Sequence, residues 1–380
     1  FSLRIRAGKE FTFETFKEGI DYAHARGKKV YATINGFPFN SQIELLKKHI
    51  ATMAALEPDG FIVAAPGVVK LCREIAPQID IHLSTQANVL NYLDAQVFWD
   101  MGVKRIVVAR EISLKDVIEI KKHLPDMEIE IFVHGSMCFA YSGRCLVSAV
   151  QMGRVPNRGS CANDCRFEYT LYAANEDHST LFRLEEEPGV GTYIFNSKDM
   201  NLASHIKEIL DSGAVDSLKI EGRTKSPYYA AVTAKAYRNA IDDYYDGKFE
   251  ASKYQRELYT TKNRGFTDAY LIHRPFEKTD SQNHDYALSK GSYEVTGLVT
   301  EDEEHFLCKY KVYPNEDIEI FTPMGEELVE CENEIGKIGK KDGIYYINFK
   351  KILTETNKEL ESVHSGNINK IKLPGTLPYL

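Results

Sequence analysis

RIVVAREISLKDVIEIKKHLPDMEIEIFVHG, residues 105–135, is the stretch from which the fold follows. Its ends, RIVVAR (105–110) and EIEIFVHG (128–135), are short apolar runs rich in β-branched residues. Between them SLKDVIEIKKHL (113–124) places its Leu, Val and Ile at helical spacing, with Ser113 where an N-cap belongs. A strand, a helix and a strand in so few residues form a crossover between two parallel strands, with right-handed connection.

The same alternation runs outward in both directions. VYATIN (30–35), FIVAA (61–65), IHLSTQ (81–86), YIFNSKD (193–199) and SLKIEGR (217–223) read as further strands. Helical patterns lie between several of them, at 41–57, 67–76 and 91–102, the last closed by Gly102. Nearly every strand begins apolar and ends in polar chemistry: Thr33 and Asn35, Ser84 to Gln86, Arg110 and Glu111, His134, Ser197 to Asp199, Glu221 and Arg223. An open doubly wound sheet would gather its site at one switch point, whereas a TIM-type (β/α) barrel collects it from the ends of many strands. The barrel is therefore the expected α/β fold for residues 1–275. A polar, Gly-, Pro- and Asn-containing stretch at 262–286 reads as a linker. Short strands about ten residues apart follow it, and a small all-β C-terminal domain, a barrel or sandwich, is expected over 276–380. Tyr228 to Tyr245 reads as a closing helix whose aromatics serve the core.

The chain has 380 residues, with 43% hydrophobic and 27% charged content and a net charge of -8, ordinary values for a soluble globular protein. That charge offers no general attraction to nucleic acid, so any RNA contact must come from a local basic patch. The most apolar run, 61–69, is interrupted by Pro66 and Gly67, far short of the roughly 20 residues that span a bilayer. No signal peptide is evident in FSLRIRAGKEF, and an odd count of seven cysteines argues against a secreted disulfide framework. A cytoplasmic protein with no membrane association and no stable protein partner is expected. Neither a G-x-G-x-x-G nor a P-loop pattern occurs.

Four of the cysteines, Cys138, Cys145, Cys161 and Cys165, fall within one stretch among Arg, Asn, Asp, Gly and Ser. Buried hydrophobic cysteines would keep different company. Soft thiolate sets select zinc or an iron–sulfur cluster. Structural zinc favours pairs separated by two to four residues, which only Cys161 and Cys165 satisfy, so the spacing favours a cluster over zinc. Cys72, Cys308 and Cys331, each without a cysteine neighbour, read as structural. The same loop carries Arg144, Arg154, Arg158 and Arg166, with Tyr141, Phe167 and Tyr169 interleaved. Arginines for phosphates and aromatics for bases suit single-stranded RNA, although each arginine alone could be a solvated surface charge.

HGSMCFAYSGRCLVS (from His134) followed by NRGSCANDCRFEY (from Asn157) resembles the signature of the collagenase-like peptidase family of unknown catalytic type, and within it the tRNA hydroxylation (P) branch. HLSTQANVLN (from His82), RIVVARE (from Arg105), NSKDMN (from Asn196) and LKIEGRTKSPYY (from Leu218) extend the likeness to about Arg274. The resemblance implies a barrel two of whose strands precede the residues matching FSLRIRAG, so a chain beginning at Phe1 is expected to lack its natural start. It further implies a tRNA-modifying enzyme that converts the wobble uridine of the anticodon loop to 5-hydroxyuridine, with a [4Fe-4S] cluster and prephenate as hydroxyl donor. Other branches hydroxylate a ribosomal RNA cytidine or act in ubiquinone synthesis.

Prephenate is a dicarboxylate and needs cations at the strand ends. Arg110 and Lys198 are candidates for holding it, while Lys219, Glu221 and Arg223 alternate along one strand and can share a face. A salt-bridged interior would explain those residues equally well. His134 could shuttle a proton, or be a satisfied structural histidine. A peptidase is the competing class. It would need an activated nucleophile, and the chain has no H-E-x-x-H and no G-x-S-x-G; Cys138, four residues after His134, is the one candidate, inside the cysteine set.

Overall fold

The computed structural model describes residues 11–156, 161–167, 169–170, 172–174, 181–183, 197–222, 225–273, 283, 291–322, 326–365 and 370–378. The chain divides into two compact units. The first comprises Phe1–Lys225, Ala236–Leu258 and Asn263–Lys290; the second comprises Ser226–Lys235, Tyr259–Lys262 and Gly291–Leu380.

The first unit is mixed α/β. Helix α1 (Phe13–His24) opens on a capping box in which Thr12 and Thr15 satisfy each other's backbone amides. Strand β1 (Tyr31–Ile34) and helix α2 (Ile43–Ala54) follow, then β2 (Gly60–Val63), α3 (Pro66–Ile75), β3 (Asp80–Leu83), α4 (Tyr92–Asp100), β4 (Arg105–Val107), α5 (Leu114–His123) and β5 (Glu128–Ser136). Ser113 caps α5 as expected, its Oγ accepting from the Asp116 amide at 3.2 Å, and Asn91 caps α4 in the same way at 3.0 Å. Strands β1 to β5 pair in order and in parallel. Because helices alternate with them, the apolar residues of these strands are covered: Phe61, Val63, Ile81, Leu83, Ile106, Ile129 and Val133 are all buried.

After β5 come helix α6 (Val147–Met152), the paired strands β6 (Tyr172–Ala174) and β7 (Leu181–Arg183), β8 (Asp199–Asn201), α7 (Ile206–Asp211), β9 (Ser217–Ile220), α8 (Pro227–Tyr245), α9 (Ala251–Tyr259) and β10 (Phe266–Thr267). The sheet now departs from the all-parallel expectation. β9 pairs β5 in parallel from Glu130 to His134, but β8 pairs the end of β5 antiparallel, with His134 opposite Asn201 and Ser136 opposite Asp199. A register shift between Phe132 and His134 lets β5 serve both neighbours. β10 then adds in parallel to β8, so part of the stretch read as linker is sheet. The strand expected over 193–199 is described only from Ser197, and the segment read as a strand to residue 86 ends at Leu83, with Thr85–Ala87 forming a 3-10 turn.

The second unit is antiparallel. β11 (Gly297–Val299), β12 (His305–Cys308) and β19 (Ile371–Lys372) form one sheet; β13 (Asp317–Glu319), β14 (Cys331–Glu332), β15 (Gly336–Lys341) and β16 (Ile344–Phe349) form another; β17 (Ile352–Leu353) pairs β18 (Glu359–Leu360). Its core gathers Phe306, Ile338, Ile347, Phe349 and Ile371. Cys308 is buried there and Cys72 in α3, both as structural residues would be. Among the described residues no helix is long and apolar enough to cross a membrane.

Candidate active site

Two charged groups thread the parallel sheet. Near the strand starts, Arg105 bridges Glu128 at 2.6 Å and Glu130 at 3.4 Å, and Glu130 also accepts from Lys219 and Ser217, both at 2.8 Å. Burial works against the Glu130 carboxylate, and Lys219, Ser217 and Arg105 outweigh it, holding its pKa below the usual range. Further along, Arg110 donates to Glu221 at 2.7 Å. Burial opposes the Arg110 charge, but Glu221, Cys138 and Glu111 more than restore it. The Phe132 ring lies between the groups, 3.8 Å from the Arg110 guanidinium carbon and 5.6 Å from Lys219 Nζ. Lys219 and Glu221 thus serve different partners. The salt-bridged interior is the arrangement observed for these residues, and Arg223 lies outside the described residues.

The cysteine loop is seated on the ends of β3 and β4. Ser142 donates from its amide to Glu111 at 2.9 Å, and its Oγ accepts from the Arg110 amide at 3.3 Å. Gly143, at φ +73°, lies so close to the turn after β3 that a Cβ there would come within 2.2 Å of the Gln86 carbonyl oxygen. Helix α6 then ends at Gly153 (φ +64°). Ser148 on that helix ties in the next segment, its Oγ accepting from the Ala162 amide at 3.0 Å.

The four thiols of this loop share one electrostatic neighbourhood. Burial raises the Cys145 pKa, with Cys138, Cys161 and Asp164 adding to it against the Val147 amide. Burial also raises that of Cys165, with Cys138, Cys161 and Cys145 adding to it against Arg166. Yet among the described residues no three His, Cys, Asp or Glu side chains converge on a point that could hold one metal ion. Four thiolates around a single zinc at about 2.3 Å would crowd together, whereas a cluster spreads its ligands over several irons. What can be matched to an iron–sulfur cluster is the chemistry of the donor set, four soft thiols on one loop. Two buried groups next to Cys165 are also unsatisfied among the described residues: Nε of Arg166 and both carboxylate oxygens of Asp164.

His134 is 1% exposed. Its ring packs against Tyr237 and Phe266, with centroids 5.6 and 5.4 Å away, and its Nδ1 lies 3.4 Å from the Tyr237 hydroxyl. Burial lowers its pKa to about 4, with Asp199 opposing and Lys225 assisting the shift. Asp199 in turn is bound by the Arg264 guanidinium and accepts from the Arg264 amide at 3.2 Å. Nη1 of Arg264 is buried without a hydrogen-bond partner among the described residues. Burial first, then Arg264 and Arg166, lower the Lys225 pKa against the pull of Asp199. Burial and Arg264 likewise lower that of Arg166, against Cys165 and Cys138.

Of the residues singled out for RNA, Tyr141, Arg144 and Arg154 are exposed on the cysteine loop, Arg166 is half-buried, and Arg158 lies outside the described residues. Lys198 lies along Gly265. The sequence marks Asp199 only as one of the polar strand ends, and does not single out Lys225 or Arg264. The first two stood inside the quoted NSKDMN and LKIEGRTKSPYY stretches, which was the available signal; Arg264 stood in the stretch read as linker.

Comparison with known proteins places these features in a family. The profile described as peptidase family U32 matches residues 1–281. The chain is 64% identical over 378 residues to "tRNA hydroxylation protein P" of Helicobacter pylori, covering 100% of this chain and 90% of that protein. It is 36% identical over 391 residues to the protein of that name in Escherichia coli, covering 90% and 85%. It is 27% identical over 356 residues to "Collagenase" of Porphyromonas gingivalis, covering 90% and 78%. With its charged sheet interior and its four-cysteine loop, the chain belongs to peptidase family U32.

Proposed function

We propose that the protein is a tRNA hydroxylase that converts the wobble uridine of the anticodon loop to 5-hydroxyuridine, with prephenate as hydroxyl donor. The observation that carries this reading is the cysteine loop: four thiols in one electrostatic neighbourhood, bordered by exposed arginines and aromatics, in a chain 64% identical to a protein named for tRNA hydroxylation. Cys138, Cys145, Cys161 and Cys165 would hold a [4Fe-4S] cluster. When bound, such a cluster supplies one-electron chemistry or a Lewis-acidic iron. Arg144 and Arg154 meet phosphates, and Tyr141, Phe139 and Phe167, exposed by 62%, 47% and 45%, offer faces on which unstacked bases can lie. Arg110 and Glu221 fix the floor under the loop. Parallel β1 to β5 with alternating helices support reading this unit as an arc of a TIM-type barrel.

The peptidase reading has less behind it. A cysteine nucleophile at Cys138 needs a neighbouring base, and His134 is buried against Tyr237 and Phe266 with its pKa lowered to about 4. The deciding experiment is anaerobic purification with iron and acid-labile sulfide analysis, joined to complementation of a strain lacking the modification and mass spectrometry of its tRNA nucleosides. Cys145→Ser or Cys161→Ser is expected to remove iron and hydroxyuridine together. Stoichiometric zinc without iron would overturn the cluster. Gelatin cleavage abolished only by Cys138→Ser, with no hydroxyuridine in complemented cells, would overturn the hydroxylase.

A further inference from the structure

The cysteine-bearing excursion has a surface of unusual composition. Residues 137–167 contain four arginines and a single acidic residue, the buried Asp164, in a chain whose net charge is -8. Helix α6 on this excursion has a sealed face and an open one. Ser148 is buried, its Oγ accepting from the Ala162 amide at 3.0 Å. Leu146 and Val150 flank it at i−2 and i+2, and at about 100° per residue each stands roughly 160° from Ser148, on the opposite side of the helix. The Val150 amide donates to the Leu146 carbonyl at 3.0 Å, so the two side chains sit one turn apart on a single ridge. That ridge is open: Val150 is 82% exposed and Leu146 62%. Arg144 precedes it and Arg154 follows it, both exposed.

Scattered exposed aliphatic residues need no explanation, but a ridge of them bounded by charges of one sign does. The charge selects the partner. A second copy of this loop would set arginine against arginine. A nucleic-acid strand offers phosphates to Arg144 and Arg154 and apolar base faces to the ridge between them. The ridge also differs from the aromatic side chains of the same loop. Phe139, Tyr141 and Phe167 have ring faces on which a base can stack, whereas Leu146 and Val150 have none. An aliphatic side chain that meets bases fills the gap between them, and apolar wedges of this kind hold opened base steps in nucleic-acid complexes. Chemistry on a base within a stacked loop requires such an opening, because the reacting ring must leave its neighbours.

We propose that Leu146 and Val150 form a wedge that enters an opened step of a single-stranded RNA loop and takes the place of the base turned out toward the cysteine set. Arg144 and Arg154 hold the strand on either side, and the wedge keeps the vacated step from closing. The proposal rests on the hydroxylase reading for the identity of the RNA. It assigns the opening of the base stack to α6, a task for which arginines that grip phosphates and thiols that hold a cluster are not suited.

The test titrates the anaerobically purified full chain into an anticodon stem-loop RNA carrying 2-aminopurine beside the wobble uridine, a base whose fluorescence rises when it unstacks. The wild type is compared with Val150→Ala, Val150→Thr, Val150→Ile and Leu146→Ala. Wild-type binding should raise the emission. Val150→Ala should remove at least half of that rise and weaken binding about 3- to 15-fold, the range for withdrawing up to two methyl groups from an apolar contact. Leu146→Ala should act in the same direction. Val150→Thr, similar in shape but hydroxylated, should fall between Val150→Ala and wild type, and Val150→Ile should keep both signals. The log–log salt slope should stay at its wild-type value in all four, because no phosphate contact is lost. Iron content and circular dichroism are measured on each variant, and the exposed Val150 decides the matter alone if Leu146→Ala, next to Cys145, loses iron. Unchanged affinity and emission in the Val150 variants would overturn the wedge and leave the hydroxylase standing, since hydroxyuridine in complemented cells judges that reading separately. Wedge behaviour without hydroxyuridine would support the RNA contact and remove the hydroxylase. No RNA binding by the wild type, or equal losses in Val150→Ile and Val150→Ala, would overturn the wedge. So would a change of oligomeric state on sedimentation of Val150→Ala with RNA binding intact, which would mark the ridge as a protein contact.

Discussion

Gly143→Ala is the sharpest test of how the cysteine loop is held. Two penalties act at this position. At φ +73° an alanine is in the left-handed region, which costs roughly 1–2 kcal/mol. Its Cβ would also stand 2.2 Å from the Gln86 carbonyl oxygen and 2.9 Å from the carbonyl carbon and Cα. That backbone is poorly able to retreat: Gln86 is buried, the Ala87 amide donates to the Ser84 carbonyl at 3.0 Å, and Thr85 donates to the Val108 carbonyl at 3.1 Å. Overpacking of this kind costs about 1–3 kcal/mol, so the total is roughly 2–5 kcal/mol. Gly153→Ala is the matched control, at φ +64° with nothing within 4 Å of its Cβ, and carries the backbone penalty alone. Thermal unfolding and iron content, measured anaerobically on both variants, separate the effects. Gly143→Ala should either lower Tm by several degrees more than Gly153→Ala or, if the loop lifts off, keep its Tm and lose most of its iron. If the two variants match in both Tm and iron, the close seating of the loop on Gln86 is refuted.

Other outcomes follow from the same geometry. Glu221→Gln leaves the buried Arg110 without its carboxylate; because the Glu221 side chain is 30% exposed, the loss in urea unfolding should be about 1–3 kcal/mol rather than the full value for a buried pair, and a loss below about 0.5 kcal/mol would contradict the pairing. His134 has its pKa lowered from 6.5 to about 4, so the unfolded chain binds a proton that the native chain refuses. The stability this contributes is complete above about pH 6.5 and is lost as pH falls toward 4, on the order of 3 kcal/mol, with His82 shifted in the same direction. Urea midpoints from pH 7 to 4.5 should fall steeply in the wild type and less so in His134→Asn; parallel curves would rule this out. Arg144→Ala and Arg154→Ala should each weaken RNA binding and reduce the magnitude of its log–log salt slope by about 0.7–0.9, with iron content unchanged; an unaltered slope would remove them from the RNA surface.

The parallel half of the sheet was legible because its signals are local. Apolar runs, helical spacing and the Ser113 cap are each contained within a dozen residues, and together they located β1 to β5 and their helices. The antiparallel return was not. β8 is three residues, DMN, too short for a period, and nothing in it encodes direction. The charged contacts were hidden by sequence distance. Lys219 and Glu221 share a parity that suggested one face, but their partners, Glu130 and Arg110, lie far upstream, and the strand ends at Ile220, before Glu221. Arg264 was obscured by its polar neighbours, whose composition resembles that of a linker although β10 begins two residues later.

The ends of the cysteine-bearing excursion are cross-strand neighbours: the chain leaves the sheet at Ser136 and re-enters it at Asp199, directly opposite. Such a clasp makes the excursion a cassette. Since closing a longer loop adds only about 0.6 kcal/mol per doubling of length, residues can be gained or lost between the two ends with little effect on the sheet. Related proteins can therefore exchange what this cassette presents to a substrate while His134 and Asp199, at the clasp itself, keep their register.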